Sequence, residues 1–257
     1  MEEREKSVGF FDSGVGGISV LKEALKLMPN EDYIYLGDSK HAPYGSKSLD
    51  EIKELTFLCV EGLLKQDVKA IVIACNTATS AAIEDLRERY KEIPIIGIEP
   101  AVKPAVNLNP SGKIIIMATP VTLNQKKFRC LYDHYSCESN IVPLPCAELV
   151  SFVERGEVKG DNVLNYLENK FSVVDLDKIG AIVLGCTHFP FVESSIRQIV
   201  GEEIPIIHGG EGTARRLKYL LKENDIINLS KDKGYVVIHN TLHSEKFIKL
   251  SEDLLYK

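Results

Sequence analysis

The residues best suited to chemistry in this sequence begin at Cys75, which follows a run of apolar residues. Residues 70–73 are Ala-Ile-Val-Ile, a pattern typical of a strand buried on both faces of a parallel sheet. A thiol, an amide and a hydroxyl then follow at Cys75, Asn76 and Thr77, and a helical pattern covers residues 81–90. Because ligands of open α/β sheets bind outside the carboxyl ends of the strands, Cys75 is expected to face a ligand. The N–H groups at the start of the next helix favour an anion and favour thiolate over thiol.

The same arrangement occurs a second time around Cys186. Residues 180–184 form another apolar run, and Cys186 is followed by Thr187, His188 and a helical pattern over residues 192–200. The repetition predicts two similar halves, each of which presents a thiol at the end of a strand. If the halves face one another, both thiols can contact a single ligand.

Two opposed thiols suit a reaction that removes a proton from one side of a carbon and delivers a proton to the other side. Such a reaction inverts a stereocentre. One cysteine starts as the thiolate and the other as the thiol, and the roles exchange with the direction of reaction. Asp12 and His188 are placed by their motifs to tune or shuttle these protons. The remaining polar residues would hold a carboxylate and an ammonium group: Ser13, Asn76, Thr77, Thr119 and Thr187.

The sequence gives no reason to expect a cofactor. Neither cysteine motif contains a lysine that could form a Schiff base with pyridoxal phosphate. A glycine-rich turn over residues 12–17 separates a predicted strand from a helix and suits a phosphate or carboxylate group. It lacks the G-x-G-x-x-G spacing, and only Asp38 could serve as the acidic residue of a dinucleotide site. Asp12 itself is expected to cap the helix, bind a ligand or do both.

A loop after the second predicted strand contains Pro43, Tyr44 and Gly45, a combination typical of a tight turn. On the pattern alone, packing and ligand contact are equally good interpretations of Tyr44. His41, in the same loop, is interpreted as a solvated residue.

The order of strands and helices predicts an α/β fold. Residues 1–100 alternate strand and helix with short links, which indicates a parallel, doubly wound sheet with right-handed crossovers. A proline-rich stretch over residues 100–110 is the best boundary, and a second α/β run starts near residue 113. We therefore predict two pseudosymmetric doubly wound parallel-sheet domains with the active site between them.

The composition is that of an ordinary globular protein, with 257 residues of which 44% are hydrophobic and 26% are charged. No apolar run approaches the length that spans a bilayer, and the charged N-terminus lacks a signal-peptide core, so we expect no membrane and a cytoplasmic location. A net charge of −6 without a basic cluster argues against nucleic acid. The six cysteines contain no C-x-x-C pair, so free thiols and no metal site are expected. Structural roles are favoured for Cys59, Cys130 and Cys137.

Four motifs, in this order and spacing, make the chain resemble the glutamate racemases, the cofactor-independent branch of the aspartate/glutamate racemase superfamily. They are residues 11–17 (FDSGVGG), 43–45 (PYG), 74–79 (ACNTAT) and 185–190 (GCTHFP). The resemblance implies interconversion of L- and D-glutamate without a cofactor, supplying D-glutamate for peptidoglycan. It also implies a homodimer and two domains, residues 1–100 with 208–257 and residues 101–207. The chain departs from the family at Ala147 and Ser151, where prolines are common, and at His208, where Asp is usual.

The resemblance assigns roles to individual residues. Cys75 and Cys186 are implied as the acid/base pair, with Asp12, His188 and Glu154 as their catalytic partners. The implied substrate contacts are Asp12, Ser13, Pro43, Tyr44, Gly45, Asn76, Thr77, Thr119, Thr187 and His188.

Two other functions remain open. The chain could be another racemase of the superfamily, acting on aspartate or a hydantoin, in which case the groups around the substrate side chain would differ. It could also be a non-catalytic binding protein that uses the two thiols as a redox switch. A substrate panel distinguishes the first alternative from a glutamate racemase. A disulfide formed without proton exchange at glutamate would support the second alternative.

Overall fold

The computed structural model describes residues 2–108, 112–124, 126–136 and 140–256. The chain divides into two compact units. Unit 1 contains Met1–Glu99 and Gly210–Lys257, and unit 2 contains Pro100–Gly209. Within the described ranges, every helix is too short or too polar to cross a membrane.

Strands and helices alternate along most of the chain. The strands are β1 Val8–Asp12, β2 Tyr33–Gly37, β3 Ala70–Ile73, β4 Ile95–Gly97, β5 Lys113–Ala118, β6 Ile141–Pro145, β7 Ile179–Leu184, β8 Ile206–His208 and β9 Val236–Asn240. The helices are α1 Ile18–Leu27, α2 Leu49–Leu64, α3 Asn76–Arg89, α4 Val102–Asn107, α5 Pro120–Asn124, α6 Lys126–Ser136, α7 Glu148–Glu154, α8 Asp161–Phe171, α9 Glu193–Val200, α10 Gly210–Glu223 and α11 Glu245–Tyr256.

Unit 1 is built on a parallel sheet with the strand order β4-β3-β1-β2-β9. Every residue of β1 and β3 is buried, which explains why β3 and the first four residues of β1 are continuous apolar runs. Phe11 pairs with Ile73 in the register of these two central strands, so β1 and β3 end side by side. Asp12, the last residue of β1, and Cys75, which follows β3, therefore lie at the same edge of the sheet.

Unit 2 is built on a second parallel sheet, with the order β6-β5-β7-β8. Alternate residues of the two central strands point into one core: Ile114 and Ile116 of β5, and Ala181 and Val183 of β7. Helix α4 covers this core with Val102 and Ala105. The two parallel sheets confirm the predicted α/β class. The carboxyl ends of β5 and β7 lead to Thr119 and Cys186.

Several element boundaries differ from those predicted. Helix α3 begins at Asn76, not at residue 81, because its first turn is buried and the Thr79 hydroxyl bonds back to the Ile73 carbonyl oxygen at 3.0 Å. After Cys186 a 3₁₀ helix over Phe189–Val192 precedes α9, and Pro190 lies in its first turn, where a missing N–H costs no helical hydrogen bond. The sequence also predicts a helix over residues 123–134 and a strand over residues 139–144; residues 125 and 139 lie outside the described residues, and α5, α6 and β6 cover the described parts of these ranges.

Candidate active site

Cys75 lies between β3 and α3, where it is the N-cap residue of the helix. Its Sγ accepts a hydrogen bond from the Ala78 N–H at 3.5 Å and lies 3.4 Å from the Ser13 Oγ. The side chain is buried, and the aligned peptide dipoles of α3 present their positive end to the sulfur. This environment favours the negatively charged thiolate over the thiol.

Asp12 ends β1 next to Cys75 and is fully buried. Its Oδ1 accepts a hydrogen bond from the Gly14 N–H at 2.9 Å, which holds the carboxylate at the start of the glycine-rich turn. Gly17 packs against it so closely that an added Cβ would lie 2.6 Å from the Asp12 Cβ. The turn therefore needs glycine at this position for close approach, and it fixes Asp12 and Ser13 beside the thiol.

Asn76 and Thr77 form the first turn of α3 and are buried next to Cys75. Among the described residues, the buried Oδ1 of Asn76 has no hydrogen-bond partner. A buried acceptor without a partner is costly, and a ligand N–H group would satisfy it. Asn76 is thus suited to hold an ammonium group.

Tyr44 lies in the loop after β2, which contains a cis peptide bond between Ala42 and Pro43. The Tyr44 hydroxyl donates a 2.7 Å hydrogen bond to Oδ2 of Asp38, and burial raises the pKa of the phenol, as do this hydrogen bond and the charge of Asp38. His41 is partly exposed, as expected of a loop histidine, and its Nδ1 also lies 2.9 and 3.0 Å from the two oxygens of the buried Asp38. Tyr44 is almost fully buried, whereas Pro43 and Gly45 beside it are not.

Unit 2 brings Cys186, His188 and Glu154 together. The Cys186 Sγ lies 3.7 Å from the His188 Nδ1, and the His188 Nε2 lies 2.7 Å from the Glu154 Oε1. Burial alone would lower the pKa of His188, but hydrogen bonds to Cys186 and Glu154 outweigh it and hold that pKa well above its usual value. The imidazole is therefore protonated at neutral pH, with one ring nitrogen directed at the thiol and the other at the carboxylate.

Two threonines complete the polar residues of unit 2. Thr119 follows β5, and its Oγ1 lies 3.0 Å from the Thr122 Oγ1 and accepts from the Thr122 N–H at 3.4 Å. Thr187 is buried between Cys186 and His188.

The other buried cysteines have the properties of core residues. Burial raises the pKa of Cys59 and that of Cys146 to about 12, so both thiols stay protonated at neutral pH. Cys146 donates to the Leu144 carbonyl oxygen at 3.4 Å. Cys130 is exposed, and Cys137 lies outside the described residues.

In the described part of the chain no three His, Cys, Asp or Glu side chains are grouped to hold a metal ion.

Each unit thus assembles one thiol with its own polar partners. Unit 1 groups Asp12, Ser13, Cys75 and Asn76, and unit 2 groups Cys186, His188 and Glu154. From the sequence, Asp38 is expected only as the acidic residue of a nucleotide site, and its contact with Tyr44 is not predicted. Its position directly after β2 was the available signal, because the carboxyl ends of parallel strands carry site residues.

Comparison with known proteins gives consistent matches over almost the whole chain. The family model described as Asp/Glu/Hydantoin racemase matches residues 16–217. A glutamate racemase of Clostridium novyi is 57% identical over 256 residues, covering 99% of each chain.

Two solved structures share the architecture. Glutamate racemase isoform RacE1 from Bacillus anthracis superimposes with a TM-score of 0.88 at 29% identity, covering 99% of this chain and 95% of that one. Glutamate racemase from Francisella tularensis, crystallised in complex with D-glutamate, gives a TM-score of 0.83 at 31% identity with the same coverage.

Proposed function

Since the chain belongs to the Asp/Glu/hydantoin racemase family, we propose that it is a glutamate racemase that interconverts L- and D-glutamate without a cofactor. The observation that carries the proposal is the pair of buried thiols, Cys75 and Cys186, each at the end of a central parallel strand. The name and the 57% identity of the Clostridium novyi relative support glutamate as the substrate.

In this mechanism the two thiols exchange one proton each with the substrate. Cys75, as thiolate, removes the α-proton of one enantiomer and becomes a thiol, which leaves a carbanion at the α-carbon. The Cys186 thiol then protonates the opposite face and becomes a thiolate, so the product is the other enantiomer. The reverse reaction starts from this state with the roles exchanged, and the proposal requires both sulfurs to reach the same α-carbon.

His188 supports the charge changes at Cys186. Because the His188 pKa is raised, the ring is positively charged at neutral pH and stabilises the thiolate that forms 3.7 Å from its Nδ1. Glu154 accepts from Nε2 and holds the ring in this orientation. At Cys75 the start of α3 supplies the corresponding stabilisation, and Asp12 lies beside the site to tune proton transfer.

The substrate contacts are part of the same proposal. The free Asn76 Oδ1 suits the α-ammonium group, whereas hydroxyl and backbone donors suit the two carboxylates. We propose that the following residues contact the bound glutamate: Asp12, Ser13, Pro43, Tyr44, Gly45, Asn76, Thr77, Thr119, Thr187 and His188.

The cellular role follows from the reaction. A glutamate racemase supplies D-glutamate for peptidoglycan, and we propose that role here. The free thiols of the described residues suit a reducing compartment, so we propose the cytoplasm. We also propose a homodimer, as the resemblance to the family implies, which light scattering after gel filtration would test.

The test is racemisation by the purified protein without added cofactor. L-glutamate, D-glutamate, L-aspartate and a hydantoin are incubated separately, and circular dichroism follows the optical activity. We expect the signal of both glutamate enantiomers to decay to zero, with much slower change for the other compounds. Decay with aspartate but not with glutamate would move the assignment to another racemase of the family. No decay with any compound, together with a Cys75–Cys186 disulfide under mild oxidation, would favour the redox alternative.

A further inference from the structure

The loop that carries Tyr44 is bonded to a distant part of the chain. We call residues 240–243, the last residue of β9 and the three residues after it, the C-terminal turn. Its backbone and side chains make four hydrogen bonds to residues 37–40. Thr241 N–H donates to the Gly37 carbonyl oxygen at 3.0 Å, and Asn240 Nδ2 donates to the Ser39 Oγ at 2.9 Å. The other two bonds both use the Thr241 Oγ1, which accepts from the Lys40 N–H at 3.1 Å and donates to Asp38 Oδ1 at 2.7 Å.

Asp38 connects the C-terminal turn to Tyr44. One carboxylate oxygen accepts from Thr241 and the other accepts from the Tyr44 hydroxyl, each at 2.7 Å. His41 Nδ1 contacts both oxygens. Asp38 is buried, so these side chains replace the water that would otherwise solvate its charge. Bonds to a charged acceptor are the strong ones, and loss of one of them leaves the carboxylate free to rotate.

We propose that the C-terminal turn positions the Tyr44 loop for substrate binding, and that Thr241 is the positioning residue through which it acts. The proposal rests on the proposed function, because it takes residues 43–45 as substrate contacts. Thr241 acts through hydrogen bonds within unit 1. Its hydroxyl fixes the Asp38 carboxylate, the carboxylate fixes the Tyr44 hydroxyl, and the loop is thereby held in its binding geometry.

The variant Thr241→Val tests this directly, because valine keeps the shape and removes both hydroxyl bonds. The loop contacts the substrate in the ground state and the transition state alike, so its loosening is expected to raise KM and leave kcat nearly unchanged. We expect KM for glutamate to rise on the order of tenfold, the effect of one hydrogen bond to a charged group. Thr241→Ser keeps the hydroxyl and is expected to restore a KM close to that of the original protein.

Two comparisons separate positioning from a general loss of structure. Ser251→Ala removes a buried hydroxyl that bonds only within α11, to the Phe247 carbonyl oxygen at 2.9 Å, and is expected to leave KM unchanged. In a Tyr44→Phe background, Thr241→Val is expected to add less than about twofold to KM, because both substitutions break the same connection. Additive effects, or an equal effect of Ser251→Ala, would overturn the proposal, as would an unchanged KM in Thr241→Val.

A second variant and a second measurement cover other outcomes. If Thr241→Val does not fold, Ser39→Ala removes the hydroxyl that accepts from the Asn240 Nδ2 at 2.9 Å and keeps the Asn240 oxygen that accepts from the Leu242 N–H. KM is again expected to rise, and an unchanged KM overturns the proposal.

If the original protein racemises nothing, the proposed function fails, and amide hydrogen exchange at Lys40 then tests the contact itself. Faster exchange in Thr241→Val than in Ser251→Ala supports a held loop, and equal rates contradict it.

Discussion

Replacement of Glu154 by glutamine tests the role of the buried Glu154–His188 pair. The Nε2–Oε1 distance is 2.7 Å and His188 is 2% exposed, so solvent screens the interaction little. A hydrogen bond between charged groups contributes about 1.5–3 kcal/mol to stability, and a neutral one about 0.5–1.5 kcal/mol. Glutamine retains the neutral bond through its own Oε1. Glu154→Gln is therefore expected to lower the free energy of unfolding by about 1–1.5 kcal/mol at neutral pH.

The pH dependence of this loss follows from the direction of the His188 pKa. The pKa is raised in the folded protein, so the pair contributes its full stability below the unfolded value of about 6.5. That contribution declines as the pH rises through the folded pKa, where the ring loses its charge. The difference between the original protein and Glu154→Gln is thus expected to be largest near about pH 6 and to shrink in alkaline solution.

The assay is urea unfolding at a series of pH values, followed by far-UV circular dichroism. The matched control is Glu157→Gln, since Glu157 also pairs with a cation, Arg155, at 2.7 Å but at the surface. The control is expected to change stability little at any pH because solvent screens the pair. A loss in Glu154→Gln that stays constant from acid to alkaline pH, or that the control matches, would refute the charged-pair explanation.

The remaining predictions concern packing and buried charge. Gly17→Ala places a Cβ 2.6 Å from that of Asp12, so it is expected to destabilise the protein by about 1–3 kcal/mol and to slow racemisation. Gly62→Ala lies inside α2, where the atom nearest to the added Cβ is Leu36 Cδ2 at 3.9 Å, and is expected to stabilise by about 0.5–1 kcal/mol; similar urea midpoints for the two variants would contradict this. Lys69→Met leaves Glu31 buried without the cation 2.6 Å from its Oε2 and is expected to cost about 3–5 kcal/mol. Adding Glu31→Gln to Lys69→Met is expected to restore part of that loss, and no recovery in thermal unfolding would argue against an unpaired charge as its cause.

The location of the thiols could be predicted from the sequence because it depends on short-range patterns. The apolar runs before Cys75 and Cys186 indicate strands buried on both faces, and the parallel arrangement brings their carboxyl ends to one edge of each sheet. The burial of β3 and β7 bears out that interpretation. The start of α3 was misplaced, since Thr77 and Thr79 have low helix propensity and the buried packing that outweighs it is tertiary.

Contacts between distant segments could not be predicted. The bond between Thr241 and Asp38 joins residues far apart in the chain, and no local pattern indicates it. The contact between His41 and Asp38 spans only three residues, but it depends on the fold of the loop after β2, which the sequence pattern does not describe. Such polar networks arise from packing that composition and periodicity do not describe.

Deuterium incorporation by the two cysteine variants tests the central claim most directly. The original protein, Cys75→Ser and Cys186→Ser are each incubated in D2O with L-glutamate or D-glutamate, and proton NMR follows the α-proton signal while circular dichroism follows racemisation. The two-thiol mechanism predicts exchange of both enantiomers by the original protein and no racemisation by either variant. Any exchange that a variant retains should be confined to one enantiomer, the opposite one for the other variant. Full racemisation by either variant would contradict the mechanism.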